Sequence, residues 1–281
     1  DGNDLYVGSS QGYLGHWALS VAGQAKRLNH FKIGETNEAI TSLAMIFGDI
    51  SIAVADAGGS LSTWFPVATE NNEGRDLREI HVFPDQDDKV HSILPSRHNK
   101  SFFTLSGKAG VRGWHMTSER LLLDIPSSAG ATLAGLSKRG NGLALIEPDG
   151  DLAAWSIDAP HPETSVGTLF GPVWYENYPK PDLTWQSSAS SDDFEPKMSL
   201  VPLIFGSFKG TIYAMVFAVP LALFGAIYTS QFAASSVSGT IKAAIEIMAA
   251  IPSVVIGFLA ALWFAPILDE VILPVLMSLL V

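Results

Sequence analysis

A run of 32 residues, Gly210 to Ile241, contains no Asp, Glu, Lys, Arg or His. After a short charged patch, Lys242 to Glu246, comes a second uncharged run of 22 residues, Ile247 to Leu268. Each exceeds the roughly 20 apolar residues that cross a bilayer core of about 30 Å. Residues 1–198 are of another kind, with 15 Lys+Arg against 25 Asp+Glu, a net of −10; residues 199–281 carry a net of only −1. The expectation is a water-soluble β part followed by a helical part in contact with membrane lipid. Acidity in the soluble part argues against nucleic acid, whose phosphates need a basic stripe, and against adhesion to anionic lipid. With no cysteine in the chain, disulfides, iron–sulfur clusters and cysteine–zinc sites are excluded. Both ends read as cut. Asp1–Asn3 is polar and Tyr6–Val7 already strand-like, so no signal peptide is expected there, and Val271 to Val281 is about half a span.

Four segments of the first part align on a tryptophan: DLYVGSSQGYLGHW ending at Trp17, SIAVADAGGSLSTW at Trp64, SFFTLSGKAGVRGW at Trp114 and GLALIEPDGDLAAW at Trp155. Three residues before each Trp stands Leu14, Leu61, Val111 or Leu152, and five before it Gly12, Gly59, Ala109 (with Gly110 beside it) or Gly150. This is the pattern of a β-hairpin whose turn needs a glycine at positive φ. The returning strand is expected to bury its aliphatic residue and its Trp on one face. Spacings of 47, 50 and 41 residues between the tryptophans leave room for two more strands per unit, with 39–46 and 132–136 as candidates. Four strands per 40–50 residues is the arithmetic of a WD40-like β-propeller blade, so residues 1–158 are expected to form about four blades. In that fold the tryptophans pack blade on blade; they are not read as a ligand-stacking platform.

Residues 159–198 are rich in Pro, Ser and aromatics, including Trp174, Tyr175, Tyr178 and Trp185. Such a seam reads as extended linker, either packed on the blades or lying at headgroup level. In the membrane part, residues 199–281, spans are expected at about 204–230 and 243–265, with a third starting at 271–281. Gly206, Gly210, Ala214, Ala218, Ala222, Ala226 and Ser230 stand four apart, and Ala249, Ser253, Gly257, Ala261 and Ala265 repeat the theme. Small residues at this spacing let helix backbones approach closely, which suits a multi-span bundle. Pro220 and Pro252 are expected to kink the two helices. Lys242 and Glu246, one turn apart, read first as a helix-end ion pair, and second as a contact to a partner or polar pathway.

The stretch LVPLIFGSFKGTIYAMVFAVPLALFGAIYTSQF, followed by IEIMAAIPSVVIGFLAALWFAP, resembles the second and third spans of the PstC-type permease subunit of phosphate ABC transporters. Its most specific part is the block of Glu246, Ala249, Ile251, Pro252, Ser253, Val254, Val255 and Gly257. The preceding WQSSASSDDFEPKMSLVPLIFGS resembles the long members that carry a large inserted domain before the second span. The resemblance covers residues 185–268, and the sister subunit PstA has similar spans. It implies a MetI-like bundle in the bacterial inner membrane, with a second permease subunit, an ATPase dimer and a periplasmic phosphate-binding protein as partners. It also implies a periplasmic blade domain, a cytoplasmic loop 232–242, and an ATPase-coupling loop and phosphate-contacting residues beyond Val281.

Other chemistry is not expected. There is no G-x-x-x-x-G-K-[ST] cradle for a nucleotide phosphate, so ATP hydrolysis falls to a partner. The seven histidines lack metal-ligand spacing and read as loop or surface residues. Asp149 and Asp151 flank Gly150 as a turn. Neither enzyme activity nor cofactor is expected. Two readings stand beside the importer subunit: a membrane-tethered propeller acting as sensor or assembly scaffold, and a quinoprotein-like dehydrogenase.

Overall fold

In the computed structural model of the chain, the described residues are 3–20, 24–34, 37–69, 75–107, 110–126, 133–191, 194–268, 270–271 and 274. They divide into two units, Asp1–Ser207 and Phe208–Val281.

The first unit is built on four antiparallel sheets. Blade 1 is β1 (Asp4–Gly8), β2 (Tyr13–Ser20) and β3 (Gln24–Lys32); blade 2 is β4 (Ile40–Met45), β5 (Ile52–Asp56), β6 (Leu61–Ala68) and β7 (Arg75–Phe83). Blade 3 is β8 (Val90–Pro95), β9 (Ser101–Ser106), β10 (Gly110–His115) and β11 (Leu121–Ile125); blade 4 is β12 (Leu133–Leu136), β13 (Gly142–Ile146) and β14 (Leu152–Ser156). Strands run in sequence order within every blade. The expected tryptophan hairpins are all present: Gly12, Gly59, Gly110 and Gly150 turn them with φ of 77°, 97°, 73° and 90°. Both candidate extra strands, 39–46 and 132–136, form as β4 and β12, although residue 132 itself lies outside the described residues.

One expectation fails. The aliphatic residue and the Trp of each returning strand face opposite sides of the sheet. Leu61 packs with Phe83, Val90, Phe102 and Trp114 between blades 2 and 3. Trp64 packs with Leu14, Ile33, Val54 and Leu77 between blades 1 and 2. Val111 likewise joins Leu143, Leu145 and Trp155 between blades 3 and 4. The reason is the pleat: residues three apart on a strand point to opposite faces. Each blade therefore shows an aliphatic face to the blade after it and a Trp face to the blade before it.

The outer strand completes the aliphatic face. Leu14 pairs with Phe31, Leu61 with Phe83 and Val111 with Ile125. Phe31 then meets Trp64 at 5.7 Å and Phe83 meets Trp114 at 5.5 Å. Opposite the Trp step the outer strand carries one extra residue in each of blades 1 to 3, Leu28, Ile80 and Leu122. These are β-bulges, which sharpen the local twist of the outer strand.

The seam belongs to the first unit. It contains a short helix, α1 (Val166–Phe170), closed by a reciprocal Ser165/Thr168 cap, and the small pair β15 (Trp185–Gln186) and β16 (Lys197–Met198). The second unit is helical. Helix α2 (Val201–Ile227) begins at the end of the first unit, contains Pro220 without interruption, and passes into a π-helical turn at Tyr228–Phe232. Then follow α3 (Ser235–Ala250), α4 (Ser253–Leu259) and a second π-helical turn, Ala260–Phe264.

Candidate functional site

Two places concentrate residues that a fold alone does not need. The first is the apolar helical part. Residues Val201–Phe232 form one helix long and apolar enough to cross a membrane, with a mean hydropathy of 2.0. Gly206, Gly210, Ala214, Ala218, Ala222 and Ala226 all lie on α2, and no residue of α2 is buried. The second expected span, 243–265, is not one helix. It is a pair, Val237–Ala250 and Ser253–Leu268, bent by 85°. The break sits at Ile251–Pro252, where Ile251 has ψ 129° and Pro252 φ −57°. A proline disfavours the helical region for the residue before it and removes an N–H, and here the helix breaks at that point; Pro220, expected to act likewise, instead lies inside α2 without a break.

The motif residues are divided by that break. Glu246 and Ala249 stand on α3, Ile251 and Pro252 at the corner, and Ser253 and Gly257 on α4; Ala261, of the small-residue stripe, lies in the π-helical turn after it. In the first π-helical turn, Thr229 donates to the Gly225 carbonyl at 2.6 Å and Ser230 to that of Ile227 at 3.2 Å. Of the expected third span, 271–281, only residues 271 and 274 are described.

The second place is a buried charge cluster that fastens the seam to blades 2 and 3. Lys100, 2% exposed, lies between β8 and β9; Glu176, 7% exposed, lies in the seam. The Lys100 ammonium donates to Glu176 Oε2 at 2.5 Å and to the Phe47 carbonyl at 2.5 Å. The other oxygen of Glu176 accepts from Ser51 Oγ at 2.5 Å. Glu195, 5% exposed, accepts from the Thr117 hydroxyl and, at 3.0 Å, from the Glu176 backbone N–H. Beside it Lys197 lies over the rings of Phe194 at 4.6 Å and of Tyr175 and Tyr178 at 5.6 Å each.

The electrostatics follow from burial. Desolvation pushes the Glu195 carboxyl above its ordinary range, and the neighbouring Glu176 charge adds to this; Thr117, the Glu176 N–H and Lys100 oppose it. Desolvation holds the Lys197 ammonium below its ordinary value against the pull of Glu195 and Glu176. A buried pair of this kind adds little net stability over an apolar core, but removing one partner is costly. Its geometry makes it a lock. It ties seam to blade at one set of positions, and the seam runs directly into α2. Further ties lie along the same edge: Trp174 meets Phe65 edge-on at 6.4 Å, Ser118 donates to Pro162 O at 2.6 Å, and Arg120 donates to the carbonyls of His161 and Thr164.

The four blade tryptophans stand where packing needs them. Trp64 and Trp114 are buried between blades. Trp155 is partly buried against blade 3, and Trp17, on the outer side of blade 1, is covered in part by the Arg27 guanidinium 5.9 Å from its ring. The histidines correct the expectation of surface residues, since His16, His81 and His115 are buried. His16 contacts Asp4 at 2.7 Å beneath the Tyr6 ring, and His81 contacts Glu119 at 2.8 Å. His115 accepts from the Ser118 backbone N–H at 3.3 Å, and burial pulls its pKa down to about 3. Near His81 and Glu119 a cleft of about 340 Å³ opens between blade 2, the 117–119 turn and the seam. Among the described residues, no group of three His, Cys, Asp or Glu side chains is arranged to hold a metal ion. Asp149 and Asp151 form the expected turn, with the Asp151 N–H donating to Asp149 Oδ1 at 3.1 Å.

Lys100, Glu176, Glu195 and Lys197 were not singled out by sequence. They are separated by up to 97 positions, with no spacing that marks them as partners. The one available signal was the density of aromatics around Glu176 and Lys197, higher than a free linker requires.

Comparison with known proteins bears on both parts. No family model matches the chain. The chain is 37% identical over 78 residues to the probable ABC transporter permease protein YqgH of Bacillus subtilis (strain 168), a match over 28% of this chain and 25% of that protein. It thus spans about a quarter of the length of the curated relative it matches. Among solved structures, the WD40 repeats of RRP9 give a TM-score of 0.44 at 18% identity, over 56% of this chain and 43% of that one. Sqt1 of Chaetomium thermophilum gives 0.47 at 14%, over 55% and 41%, and the computationally designed Ika4 protein gives 0.44 at 16%, over 56% and 88%. The similarity to YqgH relates this chain to ABC-transporter permeases.

Proposed function

We propose that this chain is a membrane-spanning permease subunit of an ATP-driven importer of inorganic phosphate, carrying its blade domain on the periplasmic side of the inner membrane. The observation that carries the reading is the 37% identity over 78 residues to a probable ABC transporter permease. The apolar helix 201–232 and the bent pair beyond it fit such a role, and the block from Glu246 to Gly257 adds the phosphate-specific resemblance. In this reading ATP is hydrolysed by a partner ATPase dimer, a second permease subunit completes the pathway, and a periplasmic binding protein delivers phosphate. Small-residue stripes pack the spans, and the bend at Pro252 gives one of them a corner about which it can move. The net charge of −10 on residues 1–198 repels free phosphate, so the blades serve docking or sensing and not phosphate storage.

The test is uptake of radiolabelled phosphate at micromolar concentration in cells deleted for the gene. Loss of uptake that the intact gene restores is the expected result. Unchanged uptake in cells with no second importer would overturn the proposal and leave a membrane-tethered scaffold or sensor as the better account.

A further inference from the structure

The short helix α1 is built inside out. Val166 and Phe170 stand four apart and so share one face, and they are 78% and 53% exposed. Thr168 lies on the opposite face and is buried, held by Ser165 in the reciprocal cap and by the Glu163 carbonyl, to which its hydroxyl donates at 3.2 Å. A helix with water on its outer side places polar residues there. Here the polar side chain is inside and the two large apolar ones are outside, so the outer face suits an apolar neighbour.

The ties of α1 to the chain around it identify that neighbour. The Leu200 N–H donates to the Leu169 carbonyl at 2.8 Å, and the Ser199 N–H to that of Thr184 at 3.1 Å. Both α1 and the β15–β16 pair are thus fastened to the two residues directly before Val201, where the helix apolar enough to cross a membrane begins. Trp185 is paired with Met198 in the same strip and is itself exposed; tryptophan favours the headgroup level. Leu203, Ile204 and Phe205, at the start of α2 and within the first unit, are exposed as well. Charge does not supply this contact. Residues 159–200 hold Lys180 and Lys197 against Glu163, Glu176, Asp182, Asp192, Asp193 and Glu195, a net of −4, with His161 beside them.

We propose that the occupant of this face is the bilayer surface. Helix α1 lies in the boundary between headgroups and acyl chains, with Val166 and Phe170 inserted and Trp185 at headgroup level. Such contacts gain strength from the apolar area they bury, so neutral phosphatidylcholine supports this one as well as anionic lipid does. The inference rests on the reading of α2 as a membrane span and does not depend on phosphate. It gives the seam a second anchor beside the buried Lys100–Glu176 pair.

The absence of cysteine lets a nitroxide label be placed at one position at a time. Val166→Cys, Phe170→Cys, Phe217→Cys and Arg78→Cys are each labelled in the whole chain and reconstituted in phosphatidylcholine vesicles. Electron paramagnetic resonance then reads collisions with oxygen, which enters lipid, and with a nickel chelate, which stays in water. Phe217, midway along the apolar helix, reports the span, and Arg78, exposed on β7, reports water. Labels at 166 and 170 are expected to favour oxygen over the chelate, at a depth of about 5–10 Å. That depth lies between the other two labels and is unchanged by added anionic lipid. Phe170→Gln, at an exposed position, is expected to leave the circular dichroism unchanged while the label at 166 loses its preference for oxygen. Water-like values at 166 and 170 with a lipid-like value at 217 would overturn the proposal and leave the span standing; a water-like value at 217 would overturn both. Few collisions with either probe at 166 and 170 would mean that protein covers α1, and would also overturn the proposal. A depth that appears only with anionic lipid would do the same.

Discussion

Lys100 and Glu176 carry opposite charges into a place where water cannot reach them, so neither tolerates loss of the other. Lys100→Met leaves the Glu176 carboxylate buried with only Ser51 as a side-chain donor, and is expected to cost about 3–5 kcal/mol of unfolding free energy. Adding Glu176→Gln should recover most of that loss, since the double variant buries no charge at this point. A double-mutant cycle by urea unfolding measures the coupling; additive losses would show that the pair is not the lock described above. A second prediction concerns pH. Burial holds the pKa of His115 at about 3, below the unfolded value near 6.5. Between those values the unfolded chain binds more protons, so stability rises with pH across that window, is complete above about 6.5 and is lost on acidification. Glu195, whose pKa is raised, acts with the opposite sign: its contribution is complete in acid and lost as pH rises through its folded value. His115→Gln should therefore flatten the fall in Tm between about pH 6.5 and 4, while Glu195→Gln should keep or raise Tm at pH 8. Unchanged acid slopes in His115→Gln would place the acid sensitivity elsewhere. Lys100, Glu176, Glu195 and Lys197 were not legible beforehand. A charged residue in a sequence reads as surface, and only the fold reveals that positions 100, 176, 195 and 197 share one buried volume.

Hairpins and helix breaks, by contrast, were written locally. Glycine four or five residues before tryptophan marks each blade turn because positive φ is costly for any residue with a Cβ. The structure separates two contributions to that cost. At Gly59, φ 97°, an added Cβ would come within 2.6 Å of Asp85 Oδ1 and 2.9 Å of the Asp88 carbonyl oxygen; at Gly150, φ 90°, it would meet nothing within 4 Å. Gly150→Ala should then cost only backbone strain, about 1 kcal/mol, and Gly59→Ala roughly 2–3 kcal/mol or more. Equal losses of stability in the two variants would refute the distinction. What the repeat did not disclose was which face each side chain takes, although the pleat alone requires that Leu61 and Trp64 oppose one another. The bulges at Leu28, Ile80 and Leu122 were hidden for a different reason, since they depend on pairing between strands and leave no periodic mark. In the helical part the decisive residue is Pro252. Its substitution by Ala restores an N–H and frees Ile251 to become helical, so the pair bent by 85° should straighten. Spin labels at 238 and 267 would then move apart by roughly 10 Å, toward the ~43 Å expected of 29 residues at 1.5 Å each. An unchanged distance would mean that the bend is held by something other than the proline.

The whole chain combines two solvents, and its sequence announced this through charge alone. A helix with no buried residue and mean hydropathy of 2.0 needs lipid or partner helices around it, whereas a stack of sheets supplies its own burial one interface at a time. Blades that touch only their neighbours lend stability to one another in a nearly linear series. Blades 2 and 3 each have two covered faces and share the cluster of Leu61, Phe83, Phe102 and Trp114; they also receive the seam, blade 2 through Ser51 and blade 3 through Lys100 and Thr117. Blades 1 and 4 have one covered face each among the described residues. Amide exchange should follow that order, with β5, β6, β9 and β10 protected close to the global unfolding free energy and β1, β12 and β14 opening locally at lower cost. Hydrogen-exchange mass spectrometry on the intact chain measures this strand by strand. Uniform protection across all four blades would show instead that the stack folds as one cooperative block.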